Sequence, residues 1–208
     1  MADQRYSVPA KTHRVETKVV NSRFIATILR VETVSEAKEA LANIRVEMSD
    51  ASHHCYAFRV GYGNSVVEGM SDDGEPSGTA GPPILAVLRG SNIGDTLIVV
   101  TRYFGGTKLG TGGLVRAYGA AARTGLSELE IEEKIPYRVI GIEMPYSVHD
   151  IIKHLINQHN GIIEDETFAG EVTIIARFTI DDLAPFTDEL TETTANRVQP
   201  ILFDDGNG

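Results

Sequence analysis

The chain has 208 residues, 42% hydrophobic and 23% charged, which fits one large or two small globular domains and excludes a largely disordered chain. Its longest aliphatic run, Leu97–Val100, falls far short of the roughly 18 residues a membrane-spanning helix needs, and no apolar stretch follows Met1-Ala2-Asp3-Gln4-Arg5, so neither a span nor a secretory signal is expected. The net charge of −10 argues against indiscriminate binding to nucleic acid or membranes, and the single cysteine, Cys55, excludes a disulfide framework and points to the reducing cytoplasm.

Residues 13–31 read as a hairpin of two β-rich stretches, Val15–Val20 and Phe24–Val31, broken at Asn21-Ser22-Arg23. Val34, Ala37, Leu41, Ile44 and Met48 recur at helical spacing, and Thr33-x-x-Glu36 opens that helix as a capping box. Cys55–Val60 and Ser65–Met70 read as short strands joined by Gly61-Tyr62-Gly63-Asn64. A polar loop, Ser71 to Pro83, hands over to a helix at Pro83–Arg89, where proline suits the first helical position. Asp95–Phe104 carries the continuous apolar run of a strand buried on both faces. Gly105–Gly113 is a glycine-rich connection, and a helix is expected from about Leu114 to Glu130.

Charge switches at this point. Residues 1–127 hold 14 Lys and Arg against 12 Asp and Glu, whereas residues 128–208 hold 5 against 17. Two domains are therefore expected, 1–133 and 134–208. The second opens with a strand at Tyr137–Met144. Val148, Ile151, Ile152, Leu155 and Ile156 mark an amphipathic helix opened by Ser147 and closed by Asn160-Gly161. Ile162–Phe168 and a period-two stretch from Val172 to Ile180 give two strands, and Leu183, Phe186 and Leu190 a helix capped by Asp181 or Asp182. A last strand, Val198–Phe203, carries Pro200, which assigns it to an edge or a bulge. The order β-α-β-β-α-β is that of the ferredoxin-like unit, so the chain is expected to be α+β in two domains.

Chemistry concentrates in three segments. The first runs from Arg102 to Arg123. Five glycines between Gly105 and Gly113 leave consecutive N–H groups free to converge on an anion, and the following helix N-terminus adds partial positive charge. Arg102, Tyr103, Gly105, Gly106, Lys108, Gly110, Gly112, Gly113, Arg116 and Arg123 are the candidate phosphate- or nucleic-acid-binding residues, with Arg102, Lys108, Arg116 and Arg123 expected on one basic surface. The same glycines equally suit a tight strand-to-helix crossover, and neither the Walker nor the Rossmann pattern is present.

The second segment is Asp72-Asp73-Gly74-Glu75. Asp72, Asp73 and Glu75 could hold a hard cation or do acid–base work, or they could cap the following helix. The third is His53-His54-Cys55, in which strand alternation places His53 and Cys55 on one face. The pair could be a nucleophile with its base or two metal ligands, although no sequence feature shows the third partner either arrangement needs. A buried cysteine is commonly a small apolar residue, and the apolar run Cys55-Tyr56-Ala57-Phe58 would raise its thiol pKa. His149 and His154 read as surface residues. No catalytic residue, cofactor or metal is assigned.

Gly81-x-x-Ile84-Leu85-x-x-Leu88, Ile93, and then Val99-Val100-x-Arg102-Tyr103-Phe104-Gly105-Gly106-x-x-Leu109-Gly110 resemble the signature stretch of the IMPACT family, in its bacterial YigZ-like branch. Ser22-Arg23-Phe24, His53-His54-Cys55 and Ser71–Gly81 resemble further shared segments, so the likeness runs from about residue 13 to 203. It implies an N-terminal domain similar to ribosomal-protein and elongation-factor-G folds, shared with small-molecule kinases of the GHMP type, and a ferredoxin-like C-terminal domain. Eukaryotic relatives regulate translation through a starvation-kinase pathway and carry an RWD domain that is not read here, so that role does not transfer. Two functions remain open. One is a cytoplasmic non-enzymatic partner of RNA, the ribosome or a translation-associated protein. The other is an enzyme acting on a phosphorylated small molecule, with the glycine loop as cradle and the Asp72-Asp73-Glu75 loop as metal or base site. A deep pocket joining the two loops favours the enzyme, and a flat basic face favours the binder.

Overall fold

The computed structural model describes residues 5–63 and 66–203. The expected strand start at Ser65 and the turn residue Asn64 lie outside the described residues, as do Met1 to Gln4. The chain divides into two compact units, Met1–Lys134 and Ile135–Gly208, and the fold is α+β. Among the described residues no helix is long and apolar enough to cross a membrane.

In the first unit, strands β2 (His13–Val19), β3 (Ser22–Arg30), β4 (His53–Val60), β5 (Val67–Ser71) and β6 (Thr96–Tyr103) form a five-stranded sheet in the order β2-β3-β6-β4-β5. Every pairing in it is antiparallel. The β2–β3 turn is Val20-Asn21, one residue earlier than the sequence suggests, with Val20 at φ 55°.

Helix α1 (Val34–Glu47) begins as expected, with the Glu36 N–H donating to Thr33 Oγ1 at 3.1 Å. The Glu36 carboxylate returns to the Glu32 N–H rather than to that of Thr33. Its Ala37, Leu41 and Ile44 pack with Leu97 and Val99 on one face of the sheet. Helices α2 (Gly81–Gly90) and α3 (Gly110–Ser127) cover the other face, where Ile84, Leu88, Ala117 and Tyr118 pack on Ile98 and Val100. Central β6 is thus buried on both sides, as its apolar run implies.

Two short strands have no clear mark in the sequence. β1 (Tyr6–Pro9) pairs antiparallel with β7 (Ile131–Lys134), in the register Tyr6↔Lys134. This sets Lys134, which the charge switch assigned to the second domain, within the first unit. The buried Asp95 carboxylate accepts from Lys134 Nζ at 2.6 Å, Tyr6 OH at 2.7 Å and the Gly61 N–H at 2.7 Å.

The second unit places β8 (Tyr137–Met144), α4 (His149–Gln158), β9 (Ile162–Phe168), β10 (Val172–Thr179), α5 (Ile180–Thr193) and β11 (Pro200–Leu202) in the ferredoxin-like order β11-β8-β10-β9. Pro200 opens the edge strand, where its missing N–H costs no ladder bond. Two caps differ from expectation. Ser147 lies in a 3-10 turn, Tyr146–Val148, ahead of α4. Thr179, not Asp181 or Asp182, caps α5 by accepting from the Asp182 N–H at 3.2 Å. His149 is not a free surface residue, since Nε2 meets Glu166 Oε1 at 3.2 Å.

Candidate functional site

The densest polar chemistry lies at one end of the first sheet, on its α2–α3 face. Register places both Phe24 of β3 and His53 of β4 opposite Arg102 of β6. Arg102 therefore points inward and is 5% exposed, not a surface cation. Its guanidinium lies 5.4 Å from the Phe24 ring centroid and 5.3 Å from that of Phe104. Nη1 donates to Glu75 Oε1 at 2.6 Å and Nη2 to Ser22 Oγ at 3.2 Å. The same Glu75 oxygen accepts from Tyr118 OH at 2.8 Å, while the buried Arg102 Nε has no partner among the described residues. Next in the strand, Tyr103 turns to the opposite face and donates to Asp50 Oδ1 at 3.0 Å.

The three loop carboxylates do not converge. Asp72 accepts from the N–H groups of Gly78 at 2.8 Å, Ala80 at 2.9 Å and Gly81 at 2.8 Å, capping the start of α2. Burial pushes its pKa up, but those three N–H bonds outweigh burial and hold it below the usual range. Asp73 accepts from the His54 N–H at 2.6 Å and from Arg45 Nη2 at 2.5 Å. Glu75 alone turns into the core. Among the described residues, no three His, Cys, Asp or Glu side chains are placed to share a metal ion.

His53 and Cys55 share a face but bond to the loop rather than to each other. His53 Nδ1 lies 2.8 Å from the Asp73 carbonyl oxygen, and Cys55 Sγ donates to that of Asp72 at 2.9 Å. Burial pushes the thiol up to about 12; Tyr118 opposes it, and the nearby Glu75, Asp73 and Asp72 charges add smaller upward pushes.

The glycine-rich connection is shorter than its composition suggests. α3 starts at Gly110, so Gly112 and Gly113 form its first turn instead of a loop. Gly105 is needed for close approach, because a Cβ there would sit 1.9 Å from the Asn21 carbonyl oxygen. Its N–H donates to Ser22 Oγ at 3.3 Å. Gly106 adopts φ 82°, a left-handed conformation that suits glycine.

The four expected basic residues line two recesses. Arg102 and Lys108 line a cavity of about 380 Å³, together with His53, Glu75, Phe104 and Gly110. Arg116 and Arg123 line a groove of about 700 Å³ between α2 and α3, whose floor includes Ala86, Val87, Gly119 and Leu126. The cavity reaches from the glycine-rich segment to Glu75 of the acidic loop, but Asp72 and Asp73 turn away from it, so it lacks the convergent carboxylates that the enzyme reading requires. As site residues, Ser22 and Phe24 are marked in the sequence only by the family resemblance and Tyr118 not at all, whereas His53 belongs to the His53-His54-Cys55 segment singled out there. For His53 strand alternation gives the face, but not its contact with the Asp73 carbonyl.

The Impact N-terminal domain model matches residues 20–126, and a domain of unknown function, DUF1949, matches residues 142–197. The chain is 35% identical to an IMPACT family member of Haemophilus influenzae over 97% of this chain and 98% of that one. It is 34% identical to the IMPACT family member YigZ of Escherichia coli, over 97% of this chain and all of that protein. A similar crystal structure of a hypothetical protein superposes with a TM-score of 0.82 at 34% identity, covering 97% of this chain and 98% of that one.

Proposed function

The chain belongs to the IMPACT family, in its YigZ-like branch, and from that premise we propose that its first domain is a cytoplasmic, non-enzymatic, translation-linked module that binds RNA, including ribosomal RNA, through the groove between α2 and α3. One observation carries this reading. Among the described residues of the first unit, Arg14, Arg23, Arg30, Arg45, Arg59, Arg89 and Arg102 are each ion-paired, as is Arg5. Arg116 and Arg123 make no ion pair with the described residues, although the chain holds 29 acidic residues to 19 basic ones.

Seven residues apart on one helix, the backbone positions of the two arginines are separated by about 10.5 Å along the axis at about 1.5 Å per residue, a spacing from which two flexible side chains can meet two phosphates of a single strand. The apolar floor offers unstacked bases a surface, and guanidinium planes also stack on bases. The acid excess of residues 128–208 supplies no competing polyanion site.

The test is ultraviolet crosslinking in cells followed by capture of the full chain and quantification of attached RNA. The Arg116→Glu/Arg123→Glu variant is expected to fall to the background of an untagged control. Recovery equal to the unaltered chain contradicts the proposal.

A further inference from the structure

The 380 Å³ cavity at the end of the first sheet presents two opposed sets of polar groups. On one side stand His53 and Glu75. The Asp73 carbonyl oxygen can only accept, so its 2.8 Å contact assigns the proton to His53 Nδ1 and leaves Nε2 with a lone pair in the neutral ring. Nε2 is 3.9 Å from Glu75 Oε1, too far for a hydrogen bond. Glu75 is 8% exposed; its Oε1 takes Arg102 and Tyr118, while Oε2 has no hydrogen-bond partner among the described residues. Two acceptors thus line the cavity, and one belongs to a buried carboxylate with an unused oxygen. Hydrogen-bond donors brought into the cavity can satisfy both.

The other side is a donor surface. Lys108 is exposed and makes no ion pair among the described residues. Leu109, at the N-cap of the 18-residue α3, supplies no side-chain hydrogen bond, so the first N–H groups of the helix have no capping acceptor there. Gly110 and Thr111 belong to both that turn and the cavity lining, while Phe104, Leu109 and Leu114 supply apolar wall. Donors at one end and acceptors at the other define a bipolar ligand.

We propose that this cavity binds a small phosphomonoester bearing hydroxyl groups, its phosphate held by Lys108 and the first turn of α3, one hydroxyl donating to His53 Nε2 and another to Glu75 Oε2. The site is lined by other residues than the α2–α3 groove, and neither reading depends on the other. The buried Arg102 serves it as a positioning residue, fixing the Glu75 carboxylate.

The experiment is an amide NMR titration of the full ¹⁵N-labelled chain with glycerol 3-phosphate, inorganic phosphate and glycerol in turn. Glycerol 3-phosphate is expected to shift the amides of Gly110–Gly113 and His53. Inorganic phosphate should shift the helix end alone, more weakly, and glycerol should shift nothing. Lys108→Ala should weaken both phosphates by at least about tenfold, the size of one charge-assisted hydrogen bond. His53→Ala should erase the advantage of glycerol 3-phosphate over inorganic phosphate. Because Lys108 is exposed, its variant decides the matter if His53→Ala does not fold. The proposal is overturned by an absence of shifts at Gly110–Gly113, by unchanged affinity in Lys108→Ala, or by shifts confined to Arg116 and Arg123.

Discussion

Arg102 and Glu75 meet at 2.6 Å inside the first unit, tying the end of β6 to a loop residue 27 positions earlier. Two charges so deeply withdrawn from water are tolerable only as a pair with further hydrogen bonds, which Ser22 and Tyr118 provide. Removing one partner strands the other. Glu75→Gln is expected to cost the first unit about 3–5 kcal/mol, while Glu75→Leu with Arg102→Met recovers much of that loss. Urea unfolding followed by the near-ultraviolet signal of its tyrosines measures both, and a loss below about 1 kcal/mol in Glu75→Gln contradicts the assignment.

Asp72 makes a pH-dependent contribution. Its folded-state pKa is depressed below 3.8, so its stabilisation is complete above that value and is lost as pH falls through the lower folded value. Asp72→Asn should therefore cost about 1 kcal/mol near neutrality, as capping residues do. The gap between the two chains should close as pH drops below about 4. Thermal melts at pH 7 and in the acid range will show it, and a gap that widens on acidification would count against the cap.

Cys55 is expected to be inert in the folded chain. Its thiol is buried and pushed up to about 12, so almost no thiolate exists near neutrality. A thiol-specific aromatic disulfide reagent at pH 8 should leave the native protein unlabelled and modify one thiol per chain in guanidinium. Rapid stoichiometric labelling of the native protein contradicts this environment. Cys55→Ala is likewise expected to leave RNA binding unchanged.

Much of the fold is legible in the sequence because local rules decide it. The spacing of Ala37, Leu41 and Ile44 and the Thr33 cap specify α1, and the period-two run from Val172 specifies β10, whose even-numbered residues through Phe178 are buried. The Asn160-Gly161 stop of α4 is also local, with Asn160 at φ 55° and the Gly161 N–H returning to the Ile156 carbonyl at 2.8 Å. Features set by tertiary contact are not legible. Ile131–Lys134 has no alternating apolar face and becomes β7 only because Tyr6–Pro9 lies beside it. The early start of α3 runs against glycine's weak helix propensity, and further along that helix Gly125 earns its place by packing, since a Cβ there would be 2.8 Å from Ile28 Cδ1.

The candidate site divides in the same way. Strand alternation gave His53 and Cys55 a common face, but nothing local shows that Glu75 turns inward while Asp72 and Asp73 turn to α2 and to Arg45. Arg102 likewise reads as one more cation of a basic segment until its register opposite Phe24 and His53 is known.

The central claim is that Arg116 and Arg123 each contact a phosphate of RNA. Fluorescence anisotropy of a labelled single-stranded RNA against the full chain, repeated across a range of salt concentrations, measures this directly. Each lost phosphate contact should lower the slope of log affinity against log salt by about 0.7, so Arg116→Ala/Arg123→Ala should lower it by about 1.4 and weaken binding. Arg89→Ala, which removes a cation already paired with Glu68, should leave the slope unchanged. A double variant with the affinity and slope of the unaltered chain would contradict the account.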